Sequence, residues 1–191
     1  MLKKPKIDIL SILGEAAAII DGHFELPSGL HIQSYVDTSV VMQYPSMAAK
    51  IAKALVALFD KKADVIFAAS AENSIIAQEV ARACGARSIF AIEEAGVLKL
   101  KGGMTMRPGE KVLIVDNVTM TGRKVKEAAG MVKLYGATPL GIAVIADRSD
   151  CGSVADIPLR SLLSYPLETF KPQNCPLCKA KIKLTKMGGK K

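Results

Sequence analysis

The stretch that decides the fold reads Lys111-Val112-Leu113-Ile114-Val115-Asp116-Asn117-Val118-Thr119-Met120-Thr121-Gly122. Its apolar part predicts a buried strand at 112–115, and the glycine opens a helical pattern that extends to about residue 135. A strand followed by a tight turn and a helix start aims several backbone N–H groups at one place, which suits a phosphate group. Taken alone, the segment is equally compatible with an ordinary strand-to-helix turn closed by an Asx cap.

The segments on both sides repeat this alternation of strand and helix. Further strands are predicted at 65–69, 88–92, 140–146 and 159–163, with helices at 7–20, 47–59 and 74–84, a hairpin of 23–26 with 32–36, and a hairpin or mobile loop at 97–106. This order indicates an α/β fold with a central, mainly parallel sheet flanked by helices. Ligands bind such sheets beyond the carboxyl ends of the strands, here at 68–74, 92–104, 116–123 and 147–153.

Composition narrows the class of protein. The 191 residues suit a single domain, and half of them are hydrophobic. No apolar run reaches the roughly 20 residues of a membrane helix, and no secretory signal is visible, so a cytoplasmic protein without membrane contact is expected. The net charge of +8 owes much to a basic C-terminal tail at 179–191, which predicts a solvated tail or, less favoured, contact with nucleic acid.

The sequence resembles the type I phosphoribosyltransferases, and within them the orotate phosphoribosyltransferases. The family signature is an apolar strand followed by two acids and a Thr/Gly-rich loop, which 111–122 resembles with Asp116 as the first acid. Gly22-His23-Phe24, Ser28-Gly29, His31 and Tyr35 resemble the family's N-terminal hood, placed here at about 20–40. Ala146-Asp147-Arg148-Ser149 resembles the segment that supplies an arginine to the orotate ring, and Cys175-Pro176-Leu177-Cys178 resembles the C-terminal segment of a bacterial and archaeal branch.

The resemblance implies a function. The family transfers ribose 5-phosphate from phosphoribosyl pyrophosphate (PRPP) to orotate, as a homodimer, with Mg²⁺ carried by the pyrophosphate rather than held at a protein metal site. It implies catalytic roles for Asp116 and Lys101, with Lys99 and Lys101 on a mobile loop that reaches the neighbouring subunit, and orotate contacts from Met120 and Arg148. The PRPP-binding residues would be Asp116, Asn117, Val118, Thr119, Met120, Thr121, Gly122, Arg123 and Lys124.

Four positions depart from the family pattern. Asn117 replaces the second acid, Met120 replaces a threonine near the orotate, and Glu93 replaces a cation. The pyrophosphate turn at 69–74 contains Glu72 and no glycine. Because two unit charges about 4 Å apart interact by roughly 4 kcal/mol at an effective dielectric near 20, added acids beside a pyrophosphate matter. The alternatives are a non-catalytic protein that binds a nucleotide or sugar phosphate as a sensor, and a transferase with another acceptor base.

Cysteines and histidines carry weaker signals. Cys175 and Cys178 have the spacing of zinc ligands, but a structural site needs four, so a packed turn is the default expectation. Neither Cys84 nor Cys151 pairs with them by spacing, and no disulfide framework is expected. The two histidines, His23 and His31, are expected either to touch ligand or to stabilise the hairpin by hydrogen bonds.

Overall fold

The computed structural model describes residues 7–149, 152–166 and 168–186. It has an α/β architecture, with two sheets and six α-helices in the described ranges. The strands are β1 Ile19–Glu25, β2 His31–Val36, β3 Val65–Ala68, β4 Arg87–Glu94, β5 Val97–Leu100, β6 Lys111–Thr119, β7 Thr138–Asp147, β8 Ser153–Val154, β9 Ile157–Ser164 and β10 Leu184–Lys186. The helices are α1 Ile9–Glu15, α2 Ser39–Met42, α3 Pro45–Val56, α4 Ser74–Cys84, α5 Arg123–Leu134 and α6 Pro176–Lys179.

The larger sheet has seven strands in the order β5-β4-β3-β6-β7-β9-β8. Its five central strands run parallel, whereas β5 and β8 pair antiparallel with β4 and β9 at the two edges. Helix α4 connects β3 to β4, and α5 connects β6 to β7, as parallel neighbours require. The parallel sheet predicted from the sequence is thus confirmed.

Two apolar layers cover the two faces of this sheet. Alternate side chains of each central strand enter opposite layers: in β6, Leu113 and Val115 pack toward α3 and α4, while Val112 and Ile114 pack toward α5. All four are almost completely buried. Burial on both faces explains why these strands appear in the sequence as unbroken apolar runs.

Helix boundaries show where tertiary contacts overrode local pattern. The helix predicted at 7–20 ends at Glu15; Ala17 adopts a left-handed φ of 51°, and the chain enters β1 at Ile19. Ile20, predicted on the helix's apolar face, is 41% exposed and pairs with Tyr35 of β2. Pairing with β2 suits the β-branched Ile19-Ile20 better than a further helical turn does.

Strand β6 is longer than predicted. It extends through Asp116 and Asn117 to Thr119, where it still pairs with Asp147 of β7. The predicted loop at 116–122 was therefore wrong for its first half, and only Met120–Gly122 forms the turn. Polar side chains thus sit on a rigid strand end, because β7 continues alongside them.

The hood is a separate three-stranded sheet in the order β10-β1-β2. The predicted hairpin is confirmed as antiparallel β1 and β2, and β10 adds in parallel on the other side of β1. The C-terminal basic segment was expected to be a solvated tail; its lysine side chains between residues 179 and 186 are exposed, but residues 184–186 belong to this sheet. Residues 187–191 of that tail and Cys151 lie outside the described residues. No helix in the described ranges is long and apolar enough to cross a membrane.

Candidate active site

The turn from β6 into α5 has the features of an anion site. Gly122 is the residue before the helix, with a left-handed φ of 72° and no side chain of its own to cap the first turn. Thr121 Oγ1 accepts a long hydrogen bond of 3.5 Å from Arg123 N. That turn contains no acid and instead begins with Arg123 and Lys124. Cations at a helix N-terminus oppose the helix dipole, so this end is unfavourable by itself and favours a bound anion.

A cavity of about 670 Å³ opens above this turn. Three parts of the chain form it: the end of β6 with its turn, the end of hood strand β2, and the turn that follows β3. All of the residues from Asp116 to Lys124 line it, and Arg148 lies there too, so the PRPP-binding and orotate-binding residues predicted from the sequence surround one space. The remaining lining residues are Tyr35, Val36, Asp37, Thr38, Ser39, Glu72 and Asn73.

Asp116 is the buried acid of the cavity, with 6% of its surface exposed. Burial raises its pKa from 3.8 to about 6, although the backbone N–H of Asn117, the charge of Lys124 and the amide of Asn73 act in the opposite direction. Its Oδ1 accepts hydrogen bonds from Asn117 N at 2.7 Å and from Asn73 Nδ2 at 2.5 Å. The carboxylate is therefore held in one orientation but poorly solvated, which makes it a strong acceptor for ligand hydroxyls.

Asn73 had no role assigned from the sequence. It lies in a single 3₁₀ turn, Ala71–Asn73, just beyond the carboxyl end of β3. Its amide is buried against Asp116 because β3 and β6 are parallel neighbours that end at the same edge of the sheet. The available signal was a polar residue directly after a buried strand, a place where ligand-binding residues concentrate.

Arg148 is a buried cation at the far side of the cavity, only 5% exposed. Its Nη1 donates to Ser34 O at 3.1 Å, and its guanidinium lies 5.1 Å from the ring centre of Tyr165. Nε has no hydrogen-bond partner, and no carboxylate of the described residues forms an ion pair with it. Burial lowers the pKa of Arg148. A buried guanidinium with an open donor is suited to a planar carboxylate.

A smaller cavity of about 240 Å³ adjoins the first and contains the unusual acids. Glu72, Glu93 and Glu127 line it together with Lys124, and Glu72 and Lys124 are shared with the main cavity. Glu72 also contributes, after burial and Asp37, to raising the pKa of Tyr35. Of the four departures from the family pattern, Glu72 and Glu93 thus meet in this smaller cavity, whereas Asn117 and Met120 line the main one.

Lys101 lines neither of these two cavities. It follows β5, the outer strand of the β4–β5 hairpin, and its side chain is exposed. Lys99 pairs with Glu94 at 3.4 Å on the same hairpin. The structure does not bring Lys101 to the site of its own chain, and its catalytic role stays a prediction.

Comparison of the sequence with known proteins settles the family. The chain is 37% identical to orotate phosphoribosyltransferase of Thermoanaerobacter sp. (strain X514) over 187 residues, which cover 97% of this chain and 98% of that one. It is 38% identical to the protein of the same name from Thermotoga maritima, over 95% and 98% of the two chains. The chain belongs to the orotate phosphoribosyltransferase family. No protein-family model matches it.

Solved structures agree on the fold of this orotate phosphoribosyltransferase family member. The orotate phosphoribosyltransferase of Aeropyrum pernix superposes with a TM-score of 0.67 and 19% identity, over 81% of this chain and 92% of that one. The adenine phosphoribosyltransferase of Rhodothermus marinus gives a TM-score of 0.65 with 18% identity, over 82% and 98%. Enzymes named for different bases share this architecture, so the fold does not select the acceptor base.

Proposed function

We propose that this protein transfers ribose 5-phosphate from PRPP to orotate, which yields orotidine 5′-phosphate and pyrophosphate. The observation that carries the proposal is the basic N-terminus of α5, preceded by Gly122, in the wall of a cavity that Asp116 and Arg148 also line. The relatives named orotate phosphoribosyltransferase support orotate as the acceptor. They lend no support to the non-catalytic alternative.

The substrate is oriented by charge. The 5-phosphate binds the backbone N–H groups that follow Gly122, where the helix dipole and Lys124 favour an anion. The ribose hydroxyls donate to Asp116, whose acceptor atoms are otherwise poorly solvated. The orotate carboxylate pairs with the guanidinium of Arg148, which lines the cavity and has no carboxylate partner in the described residues.

In the reaction, the bond between ribose C1 and a pyrophosphate oxygen breaks as C1 bonds the orotate ring nitrogen, whose proton is released. Positive charge develops on the ribose and negative charge on the departing pyrophosphate. In the proposed reaction Asp116 stabilises the former, and Lys124 stabilises the latter; the support is that Asp116 lines the main cavity and Lys124 lines both cavities. The hood strand β2 covers one wall of the cavity and limits access of water, which would hydrolyse PRPP.

Mg²⁺ is part of the proposal. Glu72, Asp116 and Asn117, three residues with side-chain oxygens, line the cavity, and Asn117 Oδ1 is buried without a hydrogen-bond partner in the described structure. Such donors suit Mg²⁺, which prefers oxygen and keeps ligands from substrate phosphates. When bound with PRPP, the ion neutralises charge on the pyrophosphate. This arrangement also gives Glu72 a use that offsets its repulsion of the leaving group.

The test is direct. Purified protein with PRPP, Mg²⁺ and orotate should form orotidine 5′-phosphate, whereas adenine in place of orotate should give no nucleotide. Arg148→Leu should abolish turnover with orotate, while Arg82→Ala, which removes an exposed arginine paired with Glu79, should not change it. Binding of PRPP in a calorimeter without any product would instead establish the sensor, and turnover of adenine would refute orotate specificity.

The proposal includes a homodimer in which Lys101 serves the neighbouring site. The support is the position of Lys101, exposed and outside its own chain's cavity. Mixing Asp116→Asn protein with Lys101→Ala protein provides the test, since a mixed dimer contains one site with both groups intact. Activity should reappear on mixing if Lys101 acts across the interface, and should stay absent if it acts within its own chain. A cytoplasmic location and contact of the basic tail with nucleic acid stay predictions of the sequence.

A further inference from the structure

The two histidines and the last two cysteines converge far from the substrate cavity. His23 lies on β1, His31 begins β2, and Cys175 and Cys178 flank the start of α6. Their ligand atoms all lie within 4.8 Å of one another. Three of the four residues are buried, and Cys178 is only partly covered at its ligand atom. The sequence supplied two ligands by spacing, and the hood hairpin supplies the other two.

Three of the distances in the cluster match the edges of a metal tetrahedron. Cys175 Sγ and Cys178 Sγ lie 3.5 and 3.7 Å from His23 Nε2, and Cys178 Sγ lies 3.4 Å from His31 Nδ1. His23 Nε2 lies 2.9 Å from His31 Nδ1. Zinc bonds of about 2.0–2.1 Å to nitrogen and about 2.3 Å to sulfur place tetrahedral neighbours roughly 3.3–3.8 Å apart. The three sulfur–nitrogen distances lie within that range, and the contact between the two histidines is shorter than it.

Hydrogen bonding alone does not account for the cluster. His23 Nδ1 lies 2.8 Å from Ile182 O, and a carbonyl only accepts, so Nδ1 carries the proton and Nε2 presents a lone pair. Three potential donors, His31 Nδ1 and the two thiols, crowd this one lone pair. A cation at the centre satisfies all four atoms at once. The contact with Ile182 O then orients the ligand, as carbonyl partners of metal-bound histidines do.

We propose that His23, His31, Cys175 and Cys178 bind a structural Zn²⁺ ion. Two thiolates and two imidazoles without a carboxylate suit zinc rather than Mg²⁺ or Ca²⁺. Four protein ligands leave no open position, so the ion stabilises structure and takes no part in chemistry.

The hood is a part of the fold that needs such a crosslink. Val36 of β2 joins the main core layer of α3 and α4, but the buried Phe24, Ile32 and Leu177 belong to neither layer, and among the described residues Leu177 is the only buried apolar residue of α6 and β10. Few apolar contacts therefore hold β10 and α6 to the hairpin, and small units of this kind depend on metals or disulfides. The zinc ion joins the C-terminal segment to strand β2, whose other end, at Tyr35 and Val36, lines the substrate cavity.

The test measures metal in the full-length protein purified without an affinity tag that binds metal. Wild type should contain one equivalent of zinc per chain, and Co²⁺ in its place should give the absorption of a tetrahedral site with thiolate ligands. Cys178→Ser and His31→Gln should each lower the zinc affinity roughly 10-fold or more. Cys84→Ser is the matched control, because that thiol lies on α4 and donates to Ala81 O instead; it should keep full occupancy.

A second measurement does not depend on variants that fold. Chelation of wild-type protein should increase amide hydrogen exchange in β1, β10 and α6 while the central strands β3 and β6 stay protected. Wild-type protein that binds neither Zn²⁺ nor Co²⁺, a disulfide between Cys175 and Cys178 in the freshly purified protein, or exchange unchanged by chelation would each overturn the proposal. None of these outcomes bears on the transferase assay, since the substrate cavity contains none of the four ligands.

Discussion

Replacing Asp116 by asparagine should stabilise the protein while it abolishes activity. Asparagine keeps an oxygen that accepts from Asn117 N and Asn73 Nδ2, but it removes the buried charge. Because the folded-state pKa of Asp116 lies near 6 rather than 3.8, the folded state holds the proton more tightly than the unfolded chain does. Ionised Asp116 therefore destabilises the free protein, and the stability present below pH 3.8 is lost as the pH rises through about 6.

The magnitude follows from that difference. A pKa of about 6 against 3.8 corresponds to about 3 kcal/mol once the group is fully ionised in both states, at about 1.4 kcal/mol per pKa unit. At about pH 8 the free energy of unfolding of the variant should therefore exceed that of wild type by up to roughly 3 kcal/mol. The same linkage relation gives a difference of about 1 kcal/mol at about pH 4.5. With a urea m-value of about 2–3 kcal/mol/M, the midpoint at about pH 8 should rise by roughly 1 M.

Urea unfolding of ligand-free protein, followed by circular dichroism at the two pH values, measures this difference. The control is Asp60→Asn, which changes an exposed aspartate and should shift neither midpoint. Loss of about 100-fold or more in turnover is expected for Asp116→Asn, equivalent to about 3 kcal/mol of transition-state stabilisation. A variant less stable than wild type at about pH 8, or one whose stability gain does not depend on pH, would refute the electrostatic argument for Asp116.

Three further substitutions test the site and the fold. Gly122→Ala forces an L-residue into a φ of 72° and should lower the free energy of unfolding in urea by about 1–2 kcal/mol. It should also raise the KM for PRPP in steady-state assays, and an unchanged KM would show that the turn does not bind the phosphate. Arg148→Lys keeps the charge but loses the planar guanidinium, so the KM for orotate should rise on the order of 10-fold while the KM for PRPP stays within error. A rise in the KM for PRPP alone would show that Arg148 binds PRPP instead of orotate. Gly141→Ala would place a Cβ 2.1 Å from the Phe59 ring and should destabilise by about 1–3 kcal/mol in thermal unfolding, whereas Gly130→Ala, with no atom within 4 Å, should be neutral or stabilising; equal effects would argue against the close contact.

The central sheet could be predicted because its pattern is local. Helix α4 was predicted with its observed bounds, since Ser74 starts an apolar periodicity that Gly85 ends in a left-handed conformation. Strands β3 and β6 were predicted from unbroken apolar runs, which occur because both faces of these strands are buried. Helix α3 was predicted to continue to residue 59 but ends at Val56, and the ring of Phe59 packs instead against Gly141 of β7.

The anion-binding turn was also visible in the sequence. Gly122 and the basic residues after it are neighbours in the chain, so their chemistry depends on one short segment. The pairing of Asn73 with Asp116 was not visible, because it depends on β3 and β6 lying side by side. The same holds for the environment of Arg148, whose guanidinium meets Ser34 O and the ring of Tyr165, residues far from it in the sequence.

The stretch from Lys111 to Gly122 determined by itself the strand, the turn and the helix start, and through them the class of ligand. Backbone groups and neighbouring side chains suffice for that, because they are brought together by covalent connection alone. What only the tertiary structure decided was the pKa of Asp116 near 6 and the meeting of His23 and His31 with Cys175 and Cys178. Burial and proximity between residues more than 140 positions apart, as in the contact of His23 with Cys175, arise only when the hood closes on the C-terminal segment.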